Sequence, residues 1–480
     1  LPGQFERNLL PDFSNTNFNP ALHAQSPRWS APPTPLPSIL IHGAVLTLWV
    51  ALFANGFLGK GIAGWSVGIV YIGYDTVLLV FTFLQCWTLR RPAPEVPVLP
   101  AERLSLTVII AAYNEAEVLA STLDALARQS SPADEILIAD DGSTDGTAAL
   151  LGARYGLFAA PGGISGAAQE ISGLRWLRLP HAGKAAALNQ ALAHVSTALF
   201  VTVDADTKLA PDALAAMRDA FSAMPGLVAA TGVLTPVCTK TFSGRVFQWF
   251  QTYEYVRNFL SRYAWGRMDA LLLISGAFAG FRREAVVTVG GFDPDCLVED
   301  YELIHRLRRY GYLHGLGWHS LALGSARATT SAPATMLSFL RQRRRWFGGF
   351  LQTQFWYRDM VGNARYKRLG TWMLPVKAAD TMQPIYGLFA FALLLFYIFT
   401  GRAAVLIPVG GFIIGKIILD LAFHAWSIRL YRNWTGGETR VNFGMALLAA
   451  ILEPFSFQLL RHLGASWGWV WFVTGRRSWS

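Results

Sequence analysis

Hydrophobic positions along the chain fall into two patterns. Ser38–Leu58 and Trp65–Leu89 are almost continuous apolar runs, and Leu374–Thr400, Ala403–Ser427 and Val441–Leu460 are three more. Each reaches the about 20 residues that a helix needs to cross a bilayer. Soluble helices are rarely apolar all round over successive runs, so membrane spans are predicted rather than a buried hairpin. Between the two sets the charges return. There, short apolar runs (Leu106–Ala112, Glu135–Ala139, Trp176–Leu179, Leu199–Val203) alternate with helical stretches (Glu117–Arg128, Thr147–Tyr155, Lys184–His194). That alternation predicts an α/β domain with a mainly parallel, buried sheet. Residues 1–37 hold eight prolines among Asn, Ser and Thr without a period, which predicts an extended or disordered tail. Gly156–Gly173 is expected to be a surface insertion, and the Trp-rich Gly464–Thr474 to lie in the membrane interface.

Composition supports this division. Of 480 residues 52% are hydrophobic and 15% charged, against about 25% charged in a soluble domain. Disorder is excluded, and an ordinary soluble enzyme is disfavoured. Three cysteines, Cys86, Cys238 and Cys296, are too few and scattered for a disulfide scaffold or a cysteine zinc site. The net charge of +10 favours anionic partners. Much of the basic excess flanks the spans, so lipid headgroups are the expected surface partner and nucleic acid is not. Arg90, Arg91, Arg103, Arg429, Arg432 and Arg440 fall on one side, with Lys60 and Arg402 opposite. The positive-inside rule then puts the α/β domain in the cytoplasm of a multi-pass cell-membrane protein. Five spans would carry the C-terminus outside, against Arg461, Arg476 and Arg477. A re-entrant or interfacial last helix, or a sixth short span, would resolve this.

Chemistry-bearing residues cluster at the ends of the predicted strands, where open α/β sheets bind ligands. Ala111-Ala112-Tyr113-Asn114-Glu115 ends the first strand, with Asn114 also a candidate helix cap. Asp140-Asp141-Gly142 follows the second, and carboxylates there can accept from a base N–H or a ribose hydroxyl. Gly183-Lys184 opens a helix, a place suited to a diphosphate. Asp204-Ala205-Asp206 ends the most apolar strand, and two carboxylates so spaced can share Mg²⁺ or Mn²⁺ bridging phosphates. Further on come Ser275-Gly276-Ala277-Phe278 and then Glu299-Asp300 at a helix start, where a carboxylate is placed as general base for a sugar hydroxyl. Gln342-Arg343-Arg344-Arg345-Trp346 offers phosphate donors beside a stacking face.

In order and spacing these motifs resemble the membrane family-2 glycosyltransferases. These are inverting GT-A enzymes that include hyaluronan, chitin-oligosaccharide, poly-N-acetylglucosamine and cellulose synthases. The resemblance covers about residues 38–480. It implies a cytoplasmic, Rossmann-like GT-A domain inserted between transmembrane helices. Residues 90–330 would be the transferase, 331–373 interfacial helices, and 38–89 and 374–480 the membrane part. It implies that Tyr113, Glu115, Asp140 and Asp141 hold the nucleoside and Lys184 the diphosphate. Asp204 and Asp206 would serve the metal, with Asp206 the more direct ligand and Asp204 also beside the nucleotide. Asp300, with Glu299 beside it, would be catalytic. Gln342, Arg345 and Trp346 would close over the nucleotide, and Ser275, Gly276 and Trp346 would flank the acceptor. Tyr301 after Glu-Asp and the Gly156–Gly173 insertion depart from the pattern, and Ser275–Phe278 looks more like the N-acetylglucosamine-polymer enzymes than the cellulose type.

The spans themselves carry Asp75, Lys377, Asp380, Lys416, Asp420 and Glu453. Charges in hydrocarbon usually face a bundle interior or a water path. Lys377 with Asp380 and Lys416 with Asp420 are spaced for pairing. The readings are therefore a processive synthase drawing a nucleotide sugar and extruding its glycan, a transferase adding one sugar to a lipid-linked or membrane acceptor, or a transporter with a degenerate transferase domain. The intact acidic motifs argue against the last.

Overall fold

The computed structural model describes residues 19–59, 61–91, 103–437 and 443–475. Lys60, Arg440, Arg476, Arg477 and the first eighteen residues lie outside them. The chain divides into two units. One comprises residues 1–32, 95–237 and 271–331, the other residues 33–94, 238–270 and 332–480.

The first unit is built on one eight-stranded sheet. Its strands are β1 (Leu106–Ala112), β2 (Glu135–Asp140), β3 (Leu174–Arg178), β4 (Leu199–Asp204), β5 (Lys208–Leu209), β6 (Leu227–Val237), β7 (Phe278–Arg282) and β8 (His319–Ser331). The spatial order is β3-β2-β1-β4-β7-β6-β8-β5. The first four neighbours are parallel, as their unbroken apolar runs require, and Val108, Ile109 and Ile110 are fully buried. The sheet is nevertheless mixed, because β7 runs antiparallel to β4 and β6. Phe200 and Phe281 are register partners across β4 and β7, both fully buried, with stacked rings 5.1 Å apart. Truncating either to Ala would cost about 3–5 kcal/mol.

Register fixes where the chemistry lies. Ala112 pairs with Asp140 and Ala111 with Asp204, so β1, β2 and β4 end at one edge. Val203 pairs with Phe278 on the antiparallel β7, which brings Ser275–Ala277 to the same edge. The stretch 156–173 is more than a surface insertion. Gly162 N–H donates to Arg178 O (2.7 Å) and Ser165 N–H to Trp176 O (2.8 Å), so it covers the outer side of the edge strand β3.

Residues 19–37 differ from the expected tail. Pro20–Gln25 is helical and Leu22 is buried. The prolines break periodicity, but Pro at a helix start costs nothing.

Among the described residues of the second unit four helices are long and apolar enough to span a membrane: Leu36–Leu58, Gly61–Arg90, Leu369–Phe399 and Ala403–Trp434. Phe443–Phe455 and Phe457–Val473 reach that length and apolarity only together and meet at 48°, as a broken span or a re-entrant loop does. Gly464–Thr474 belongs to the second half rather than to a separate interfacial segment. Gly464 and Gly468 let this helix approach the Met336–Trp356 helix closely, while Trp467 and Trp471 stack on the Arg344 guanidinium.

Candidate active site

The site is assembled on the sheet edge from strand-end loops. Asn114 adopts a left-handed backbone (φ 58°) instead of capping the next helix. Its side-chain oxygen accepts from Thr144 N–H (2.8 Å), tying the first loop to the Asp-Asp-Gly loop. Tyr113, 44% exposed, stacks on His181 at 4.3 Å and forms one wall.

The adjacent acids Asp140 and Asp141 have separate roles. Asp140 is 1% exposed. Its oxygens accept from Ser143 N–H (2.9 Å) and Trp176 Nε1 (3.1 Å), which makes it a brace for the loop rather than a group facing a ligand. Asp141 is also buried; its carboxylate accepts from Ala182 N–H (2.7 Å) and Gly183 N–H (3.0 Å), and His181 Nδ1 lies 3.1 Å from its main-chain oxygen. It thereby holds the turn before Lys184, where Gly183 has φ 95°. In this conformation its carboxylate serves the Lys184 turn, so a direct nucleoside contact is not what its geometry favours. His181 was not legible as a site residue; its place between Tyr113 and Asp141 depends on partners distant in sequence.

Lys184 lies between acids. Its Nζ is 2.5 Å from Asp204 Oδ1 and 3.8 Å from Glu299 Oε1. Burial alone would lower this ammonium, but Asp204 and Glu299 outweigh it and hold it above its usual range. Asp206 accepts from the hydroxyls of Thr207 and Thr330 (3.3 Å each), and burial with the Asp204 charge raises its carboxyl. Burial, then Asp206 and Asp204, push Glu115 up to about 7. Three carboxyl groups therefore repel one another at the strand ends. A hard divalent cation would relieve that repulsion, and Asp204 and Asp206 provide the oxygen donors it prefers. Among the described residues no three His, Cys, Asp or Glu form a complete protein cage. Two carboxylates completed by phosphates is the usual arrangement for Mg²⁺.

Glu299 and Asp300 start the Glu299–His314 helix. Glu299 is 4% exposed and faces Lys184, whereas Asp300 is half-buried. Asp300 Oδ2 accepts from Gly276 N–H (2.7 Å) and Oδ1 from Tyr301 N–H (2.8 Å). A Cβ at position 276 would come within 3.0 Å of that carboxylate, so glycine lets the loop lie against it. Ser275 N–H donates to Thr231 Oγ1 (3.3 Å).

Gln342, Arg345 and Trp346 belong to the second unit, on the Met336–Trp356 helix. Their i, i+3, i+4 spacing puts them on one face, and all three are half-buried. The Arg343 guanidinium lies over the Trp346 ring at 4.6 Å and pairs with Glu254 at 2.8 Å. Within the same unit Asp75, Lys377, Asp380, Lys416, Asp420 and Glu453 are all paired. Lys416 bridges Asp75 (2.7 Å) and Asp420. Lys377 pairs with Asp380 (2.7 Å), and Glu453 with Arg257 and Arg461. A cavity of about 110 Å³ is lined by Tyr71, Asp75, Lys416, Asp420, Gln458 and His462, among others.

Comparison with known proteins agrees with this architecture. Residues 107–290 match Glycosyl transferase family 2, and residues 199–407 match Glycosyl transferase family group 2. The poly-beta-1,6-N-acetyl-D-glucosamine synthase of Staphylococcus aureus (strain COL) is 28% identical over 312 residues, 65% of this chain and 67% of the relative. That of Staphylococcus epidermidis is 26% identical over 284 residues, 58% and 62% of the two chains. Among solved structures, a mannosyltransferase from Pyrobaculum calidifontis in complex with GDP-mannose and Mn²⁺ superimposes with a TM-score of 0.50 at 22% identity, covering 82% of this chain and 99% of that one. The mixed sheet is thus a GT-A sheet, and residues 107–290, from β1 through β7, form a family-2 glycosyltransferase domain in a chain with long apolar helices on both sides of it.

Proposed function

We propose that this membrane enzyme draws on a nucleotide sugar, a UDP-hexose or UDP-N-acetylhexosamine, to extend a glycan with inversion at the anomeric carbon. The transferase unit faces the cytoplasm. The observation that carries the reading is the sheet edge itself. Tyr113, Glu115, Lys184, Asp204 and Asp206 gather at the strand ends, where Lys184 pairs with Asp204, and Asp300 stands on a helix start with both oxygens oriented by backbone N–H groups. The polysaccharide-synthase relatives support a polymer product.

In the transfer step Asp300 accepts the proton of the acceptor hydroxyl. The hydroxyl oxygen forms the new bond to the anomeric carbon, and the bond to the diphosphate oxygen breaks with its electron pair leaving on the opposite face. A positioned base contributes about 10²–10⁴ in rate. Lys184 releases Asp204 to meet the diphosphate, and Gly276 N–H keeps the Asp300 carboxylate turned toward the acceptor. Mg²⁺ or Mn²⁺ held by Asp204 and Asp206 supplies positive charge against the leaving diphosphate. Gln342, Arg345 and Trp346 supply the stacking face and cationic donors for nucleotide and acceptor.

Extrusion through the membrane unit belongs to this reading, but a second one has a specific observation in its favour. Asp75, Asp380, Asp420 and Glu453 are all closed in ion pairs. The cavity of about 110 Å³ beside Asp75 and Asp420 is smaller than ligand pockets, which run to about 300–1,000 Å³, and a more open depression of about 500 Å³ meets Lys416 from the side of Ile72, Pro408 and Phe412. Extrusion therefore requires the Lys416 pairs to open. Transfer of a single sugar to a membrane acceptor requires no opening.

A panel of UDP-N-acetylglucosamine, UDP-glucose and GDP-mannose, given to purified enzyme with Mg²⁺ or Mn²⁺ and then with excess chelator, tests the proposal. Nucleotide release from a UDP-sugar that stops in chelator and resumes with metal is expected. Full activity in chelator would remove the metal assignment, and release from none of the donors would remove the transferase reading.

A further inference from the structure

We propose that Asn19–Trp29 is a strap that positions the catalytic loop, with Asn19 and Arg28 setting where the Glu299–His314 helix begins. The proposal rests on the reading of Asp300 as base.

The strap meets the loop at two points. At the first, the Asn19 side chain caps its own short helix by accepting from Leu22 N–H (3.1 Å), while its Nδ2 donates to Gly290 O (2.8 Å). Beside that hydrogen bond the backbones of Gly290 and Leu22 pack closely. Gly290 has φ 88°, and a Cβ on it would lie 2.2 Å from Leu22 N. At the second, Arg28 Nη1 donates to both oxygens of Asp293 (2.9 and 3.0 Å) and Nη2 to Asp295 (2.5 Å). Asp293 is fully buried. The Arg28 guanidinium lies 4.4 Å over Trp29, whose ring stacks on His23 at 4.1 Å, so the cation is held from its own segment as well.

The clamped loop leads directly to the chemistry. Phe292, next to Asp293, is fixed on the other side by Asn189, which accepts from its N–H and donates to its carbonyl (2.8 Å each). Arg306 donates to Val289 O (2.5 Å) while closing a fully buried pair with Glu302 (2.6 Å). The loop is thus gripped by the strap, by the helix that starts at Lys184, and by the helix that starts at Glu299. Asp293 stands seven residues before Asp300. Beyond Arg28, the charges facing Asp293 are Glu302, which repels it, and Arg306, which attracts it but is already shared with Glu302. Without Arg28 the buried carboxylate faces a neutral pair and must move toward water, taking the loop with it. Displacements of about 1 Å at a reacting group can cost about 10²-fold in rate.

The test uses the full chain with UDP-N-acetylglucosamine and reads kcat, KM, UDP affinity and melting temperature for Arg28→Ala, Arg28→Ala/Asp293→Asn and Asn19→Ala. Expected is a fall in kcat of about 10-fold or more for Arg28→Ala with UDP affinity within about 3-fold. Partial recovery is expected in the double variant, where no buried charge is left unpaired. If Arg28→Ala does not fold, Asn19→Ala decides, with an expected loss of about 3-fold in kcat at unchanged UDP affinity. Unchanged kcat in the folded single variants, or equal losses of kcat and UDP affinity without recovery in the double variant, overturns the strap's role. Asp300→Asn run alongside separates the two readings. If it is inactive while Arg28→Ala is normal, only the strap fails; if it is fully active, the base assignment fails first.

Discussion

Replacing Asp300 with Asn probes the base and its setting together. The carboxylate holds two backbone N–H groups, Gly276 at 2.7 Å and Tyr301 at 2.8 Å. An amide offers one acceptor oxygen and one NH₂, so one of these bonds is kept and the other is replaced by opposed donors. Losing a hydrogen bond to a charged group costs about 1.5–3 kcal/mol of stability, and removing a negative charge from a helix start adds about 0.3–1 kcal/mol. The catalytic loss is larger, about 10²–10⁴ in rate, which is about 2.7–5.4 kcal/mol of barrier. Released UDP, UDP affinity and thermal melting should therefore be read on the same preparation of Asp300→Asn. The expected result is a fall of about 10²-fold or more in kcat, a modest drop in melting temperature and little change in UDP affinity. Turnover within about 3-fold of the unaltered enzyme would refute the assignment. Glu299 is a poorer substitute as base, being buried against Lys184.

Other outcomes follow from the same geometry. In chelator and without nucleotide, Glu115 holds its proton up to about 7 in the folded state. Its folded value is raised, so its cost to stability sets in as pH rises from about 4.3 through about 7. Melting should decline more steeply between about pH 4.5 and pH 7 for the unaltered protein than for Glu115→Gln; equal slopes would contradict the repulsion. Lys416→Met leaves Asp75 and Asp420 facing each other without their cation and should cost about 3–5 kcal/mol, read as melting in detergent, with no change meaning that the pairs are already open to water. Trp346→Ala should shorten or abolish the glycan while UDP affinity changes by less than about 3-fold; equal losses of both would make Trp346 a nucleotide contact alone.

What the sequence made legible was local. Thr147–Tyr155 and Lys184–His194 form as their periodicity and glycine boundaries dictate, and β1 spans the apolar run that predicts it. The acidic motifs at strand ends could be placed because parallel strands must finish together. Long-range partnerships were hidden. Asp140 reads as a ligand group until Trp176 supplies its hydrogen bond, and nothing near it in sequence signals that. β8 carries Ala, Thr, Ser and Gly, and Ala, Thr and Gly interrupt the Leu and Val of β6, so the antiparallel pairing of β6 with β7 and its parallel pairing with β8 left no periodic trace. Prolines obscured the strap in the same way, since its anchors, Gly290 and Asp293, are more than 260 residues away. In the membrane unit the charges were legible but their partners were not. Glu453 meets Arg257 and Arg461 beside the 48° bend between the last two helices, which no local pattern signals.

The claim that this enzyme builds a polymer is tested most directly by the mass distribution of its product. Membrane-reconstituted enzyme supplied with Mg²⁺ and UDP-N-acetylglucosamine should yield a ladder or a high polymer whose new linkages are inverted relative to the donor. A single added sugar on a membrane acceptor, with no longer species at any donor concentration, would contradict it.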